Sequence, residues 1–94
     1  MNLKTIITNA IVTVNEELQI DALKTLEDDT PLFELLDSLG TLDLILELES
    51  VLERETGHYV AVADETSMDS IKTPFKTLLT LETYLHQRIK HESH

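Results

Sequence analysis

The chain has no cysteine and no tryptophan, only two glycines and two prolines, and seven basic residues against eighteen acidic ones. Without cysteine there is no disulfide framework, no thiolate nucleophile and no cysteine-held zinc. A formal net charge of −11 argues against binding nucleic acid or an anionic membrane surface, because both reward Lys and Arg. No apolar run approaches the roughly 20 residues of a membrane span. The opening Met1-Asn2-Leu3-Lys4-Thr5 lacks a basic cluster leading into an apolar stretch, so a cytoplasmic protein is expected. Aromatics are 4% of the composition, which leaves Leu, Ile and Val to fill the core of a single domain over residues 1–94. Ninety-four residues are too few for the deep cleft of most enzymes, and a monomeric carrier or binding module with no catalysis of its own is favoured.

What is present is helical periodicity. Leu3, Ile6, Ile7, Ala10, Ile11 and Val14 fall on one face of a first amphipathic helix. Between Asn15 and Leu36 the period is lost and Asp28-Asp29-Thr30-Pro31 makes a break. The spacing predicts a long loop there, anchored by Leu18, Ile20, Leu23 and Leu26. A second helix is expected from Ser38 or Leu39, with Asp37 as N-cap and Thr56-Gly57 as its end. Its apolar face is read as Leu39, Leu42, Ile45, Leu46, Leu48, Val51 and Leu52, with Asp43, Glu47, Ser50 and Arg54 outward and Glu49 and Glu53 beside them.

Tyr59-Val60-Ala61-Val62 has no partner segment and reads as extended loop. One short helical turn is expected within Asp64 to Lys72, with Met68 and Ile71 as anchors. Thr73-Pro74 signals the last helix, which continues through Phe75, Leu78, Leu79, Leu81, Leu85 and Ile89 and frays at its end. The fold expected is therefore all-α, a small bundle of three main helices and one short one, with a long loop between the first two. The histidines His58, His86, His91 and His94 match no compact metal-ligand spacing, and no bound metal is expected.

Ser38 carries the candidate chemistry. A serine in the first turn of a helix presents its hydroxyl beside the positive end of the helix dipole, where a phosphate is favoured. Alone it is also what any solvent-facing helix start offers. The run Asp37-Ser38-Leu39-Gly40-Thr41-Leu42-Asp43 resembles the signature of acyl carrier proteins, in which Asp-Ser-Leu opens the second helix and an acid follows five places after the serine. Leu52-Glu53-Arg54-Glu55-Thr56-Gly57-His58-Tyr59-Val60 is similar to that family's helix end. Phe75-Lys76-Thr77-Leu78-Leu79-Thr80-Leu81-Glu82-Thr83-Tyr84-Leu85 is similar to its last helix.

The resemblance implies that Ser38 receives 4′-phosphopantetheine from coenzyme A, through a separate phosphopantetheinyl transferase that uses Mg2+, with Asp37 and Leu39 flanking the site. It further implies acyl thioesters on the arm, passed between enzymes of a fatty-acid or polyketide-like pathway. Asp43, Glu47 and Glu49 would then be a docking edge for the basic surfaces of acyl-loading and acyl-using enzymes. Two departures stand out. The interval from Ser38 to Gly57 is about one helical turn longer than the common form, and Gly40 stands where many members carry Asp, so a charge usually offered to partners is missing. Both suggest a specialised carrier. An aminoacyl or peptidyl carrier, or an unmodified acidic helical adaptor, are the alternative readings.

Overall fold

The computed structural model describes residues 2–92, and for 91 and 92 the backbone alone. The expected fraying of the last residues, and the side chains of His91 and His94, lie outside the described residues. Among the described residues three helices form an all-α bundle: α1 over Leu3–Leu18, α2 over Leu32–Thr56 and α3 over Leu78–Glu92, with a short 3-10 turn at Asp21–Leu23. Among the described residues no helix is long and apolar enough to cross a membrane.

α1 is capped by Asn2, whose side chain accepts from the Thr5 N–H. It runs one turn beyond the periodic apolar positions because Asn15 organises its end. The Asn15 amide donates to the Ile20 carbonyl at 3.0 Å and accepts from the Ile20 N–H at 2.8 Å, while Gln19 turns left-handed at φ 56. Those two side-chain bonds replace the backbone bonds that the helix would otherwise have made. The expected loop is thus shorter, from Gln19 to Pro31, and holds the short helix of the fold. Leu23 is buried there, with Leu18, Ile20 and Leu26 packed against the core as anchors.

α2 begins at Leu32 rather than at Ser38. It is two helical pieces joined end to end across Asp37, whose φ 52 and ψ −173 are not helical. Gly57, at φ 81, closes it with its N–H on the Glu53 carbonyl, a conformation that glycine adopts without steric cost.

The face of α2 that enters the core is rotated from the one expected. Thr41, Leu44, Ile45, Leu48 and Leu52 are buried, whereas Leu39, Leu42 and Leu46 are 68%, 48% and 58% exposed. Positions 41, 44, 45, 48 and 52 follow the three-and-four spacing as well as the leucines do. The buried threonine is what conceals this choice of face from a hydrophobicity pattern.

The segment 64–72 forms hydrogen-bonded turns, one of them from the Thr73 N–H to the Asp69 carbonyl, that do not extend into a helix, and its expected anchors Met68 and Ile71 are exposed. It is held instead by polar groups: the buried Thr73 hydroxyl donates to the Ser67 carbonyl at 2.6 Å, and the Asp64 N–H donates to the Ser67 hydroxyl. Thr73 also accepts from the Phe75 N–H and so makes a local turn. The last helix starts four residues after Pro74, at Leu78. There Thr77 and Thr80 cap each other, each backbone N–H donating to the other's hydroxyl, in the manner of a capping box.

α1 packs chiefly along α2, and α3 packs on α1. The chain between α2 and α3 closes the remaining side of the core with the fully buried Val60, Val62 and Phe75. From the other end, the Leu79 N–H donates to the Asp28 carbonyl at 2.9 Å, tying the first loop to the start of α3.

The rotated face of α2 has a direct test in urea denaturation. Leu48→Ala should cost about 2–5 kcal/mol, the usual range for emptying a closed core site, whereas Leu46→Ala should stay within about 0.5 kcal/mol. Equal losses would contradict this packing.

Candidate functional site

Ser38 is exposed and stands at the first turn of the long piece of α2. Its position is fixed by Asp37, the cap of that piece: Asp37 Oδ1 accepts from the Gly40 N–H at 2.9 Å, satisfying one of the helix's unpaired donors. Asp37 is also strained. Its φ of 52 with ψ of −173 lies in a region that is nearly exclusive to glycine, and a non-glycine residue held there costs on the order of 1–3 kcal/mol. The buried Leu32 and Leu36 on one side and Thr41 and Leu44 on the other hold the residue in that conformation from both directions.

Beside Ser38 lies a cavity of about 430 Å³, open to solvent. Ser38, Leu39, Leu42 and Ile45 of α2 form one wall; Ala63, Asp64, Ser67 and Met68 form the other. The lining is mainly apolar and includes Leu39 and Leu42, two of the leucines left outside the core. The rim carries one fixed charge. Asp64 accepts from the Thr66 hydroxyl at 2.6 Å and the Thr66 N–H at 2.8 Å. These bonds, the hydroxyl first, hold its carboxyl below the usual carboxylate range, and Tyr84 adds to the effect.

The acidic residues do not form one edge. Asp43 and Glu47 flank the α1 side of α2, around a depression of about 200 Å³ shared with Thr13, Val14 and Glu17. Glu49 lies on the other flank, where its Oε2 accepts from the Val62 N–H at 3.0 Å. It therefore braces the chain beyond α2. Even so, residues 32–56 carry seven carboxylates against the single Arg54, so the surface around Ser38 is anionic.

Gly40 is buried, and a Cβ built on it would lie 3.2 Å from Leu36 Cβ and 3.3 Å from Leu18 Cδ1. The end of α1 and the first piece of α2 close tightly on it, leaving room for a methyl group only if those neighbours yield slightly. A carboxylate at this position would enter that contact instead of facing a partner.

The second wall was not legible in the sequence. Ala63, Asp64 and Ser67 carry no periodic signal, and Met68 reads as an anchor. Nor does sequence point to Tyr84 and Arg88 as its supports. Tyr84 Oη donates to the Val62 carbonyl at 2.7 Å, and Arg88 Nε donates to the Ala61 carbonyl at 3.0 Å. Among the described residues no group of three His, Asp or Glu side chains could hold a metal ion.

Two outcomes follow from this geometry. In equilibrium unfolding, Gly40→Ala should be close to neutral, the gain of about 1 kcal/mol in helix propensity offset by crowding. Gly40→Asp should lose about 2 kcal/mol or more, through burial of an unpaired carboxylate. The second outcome concerns Tyr84, which burial, aided by the Asp64 charge, pushes from 10.0 up to about 12. The folded chain then keeps this proton after the unfolded chain has lost it, so the associated stability is complete below about pH 10 and falls as pH rises toward 12. Urea midpoints measured from pH 9 to 11 should decline less steeply in Tyr84→Phe than in the parent.

No protein-family model, no curated protein and no solved structure matches this chain.

Proposed function

We propose that this chain is an acyl carrier, with a 4′-phosphopantetheine arm on Ser38 that presents acyl thioesters to successive enzymes of a fatty-acid or polyketide-like pathway. The observation that carries the reading is an exposed serine, within Asp37-Ser38-Leu39, at the capped start of a helix and opening on an apolar groove in an all-helical bundle. The site fits the arm. The hydroxyl is accessible, the helix start favours the phosphodiester's charge, and the groove offers apolar surface to the arm and the cargo beyond it.

Attachment is a phosphoryl transfer. Ser38 Oγ attacks the phosphorus of coenzyme A that bears the pantetheine, a P–O bond forms to Oγ, and the pyrophosphate P–O bond breaks with adenosine 3′,5′-bisphosphate as leaving group. The serine proton passes to a base. Among the residues lining the groove the one carboxylate is Asp64, whose Oδ1 already accepts two bonds from Thr66. Base and magnesium belong to a separate transferase, and this chain supplies the nucleophile and its presentation. Thereafter the chain is a shuttle: the arm's terminal thiol carries the acyl group, and the protein's own side chains steer it.

Electrostatics supports the same reading. Seven carboxylates on α2 suit enzymes with basic surfaces, where complementary charge speeds encounter more than it tightens the complex. Asp43 and Glu47 would meet a partner from the α1 side of the helix. Leu39, Leu42 and Leu46 offer the apolar part of the contact beside the serine.

Incubating the purified chain with coenzyme A, Mg2+ and a broad-specificity phosphopantetheinyl transferase should add one phosphopantetheine to its mass, and Ser38→Ala should abolish the gain. An unchanged mass, or a gain that persists in Ser38→Ala, would sink the proposal. A stable partner complex formed by the unmodified chain would point to an acidic helical adaptor instead.

A further inference from the structure

The groove's second wall is supported from behind by groups that do not touch the groove. Extended chain normally pairs its N–H and C=O groups with a neighbouring strand. Among the described residues there is no strand, and residues 61 and 62 find their partners on two helices instead. Glu49 of α2 takes the Val62 N–H, Tyr84 of α3 gives its proton to the Val62 carbonyl, and Arg88 of α3 donates to the Ala61 carbonyl. Tyr84 Oη has one proton, so its 3.3 Å approach to Asp64 Oδ2 is the weaker of two shared contacts. Arg88 also lies over the Tyr84 ring, 5.9 Å from its centroid, which keeps the two α3 side chains together.

Their placement gives the three bonds a common effect. α2 and α3 pack mainly on α1 rather than on each other, so the bonds to 61–62 link the two helices across the open side of the bundle. Ala63 and Asp64, the first residues of the groove wall, follow immediately. The inward side of this segment is held by the buried Val60 and Val62. Its rotation about that apolar anchor, and hence the distance of the wall from Leu39 and Leu42, is governed by the three polar bonds.

We infer that Glu49, Tyr84 and Arg88 are positioning residues that hold the groove open for an apolar, uncharged acyl chain, the room beside Ser38 being set from behind the wall rather than by the residues that face the cargo. This rests on the carrier reading for its biological sense but not for its test. A groove already held open binds without first having to order its wall, and loosening the wall weakens binding. The fixed Asp64 carboxylate at the rim gives the uncharged restriction, since a carboxylated chain would meet a like charge there.

The test uses the unmodified, 15N-labelled chain and the octanoyl thioester of N-acetylcysteamine, a free neutral probe that needs no arm. In the parent, titration should shift the amide signals of Ser38, Ile45, Ala63 and Met68. Tyr84→Phe, which keeps the ring and loses the hydroxyl, should raise the probe's dissociation constant about five-fold, the worth of one net hydrogen bond. Exchange of the Val62 amide proton should accelerate by a similar factor, with helix content unchanged. Glu49→Leu should speed Val62 exchange likewise, whereas Glu49→Gln, which retains a carbonyl acceptor, should stay within about two-fold of the parent. A parent that does not bind the probe would overturn the inference. So would a Tyr84→Phe chain whose Val62 exchange quickens while its probe affinity stays the same, because the wall would then move without governing the groove. A chain that accepts no arm on Ser38 yet gives the expected titrations would refute the carrier reading and leave the positioning role intact.

Discussion

Because α1 packs along α2 while α3 packs on α1, the chain between α2 and α3 has to close the third side of the core. It does so with Val60, Val62 and Phe75 turned inward and with backbone groups that, among the described residues, no neighbouring strand pairs. Everything on the Ser38 side of the molecule depends on how that closure is made. Glu49, Tyr84 and Arg88 supply the missing hydrogen bonds, and the chain they hold becomes the far wall of the groove. The near wall follows from the phase of α2, which buries Thr41 and turns Leu39 and Leu42 to the groove.

The same closure explains why a small bundle can keep large apolar side chains on its surface. Contiguous apolar surface left open to water in this way marks a binding groove. On the carrier reading its occupant is the arm with its cargo, and the exposed leucines are retained for transfer rather than for stability. Strain at Asp37 belongs to the same economy. The residue is held in an unfavourable conformation so that one helix can end at Leu36, another can begin at Ser38, and the serine stands outside while both of its helical neighbours remain packed.

Hydrophobic spacing and cap residues made the helical architecture legible, including the Asp37 cap and the Gly57 stop, because both obey local rules that do not depend on the rest of the chain. Tertiary contacts overrode the pattern elsewhere. Asn15 extends α1 through bonds to a residue five places on, which no periodicity encodes. At Pro74 the sequence offers a helix start, but Thr73 is engaged by Ser67, and the reciprocal Thr77 and Thr80 cap four residues later takes its place. On α2 the face of Leu44, Ile45, Leu48 and Leu52 enters the core and takes Thr41 with it, leaving Leu39, Leu42 and Leu46 outside. Of the candidate site, Ser38, Asp37 and Leu39 could be read from one short run. The opposing wall and its three supports could not, since they come together only when residues more than ten positions apart in the chain are packed against each other.

Whether Ser38 bears an arm in the cell is read by tandem mass spectrometry of the chain isolated from the cells that make it. On the carrier reading, the peptide that contains Ser38 bears a phosphopantetheine, with part of the population carrying an acyl group in thioester linkage. A chain recovered wholly unmodified, or carrying the arm on another residue, would contradict it.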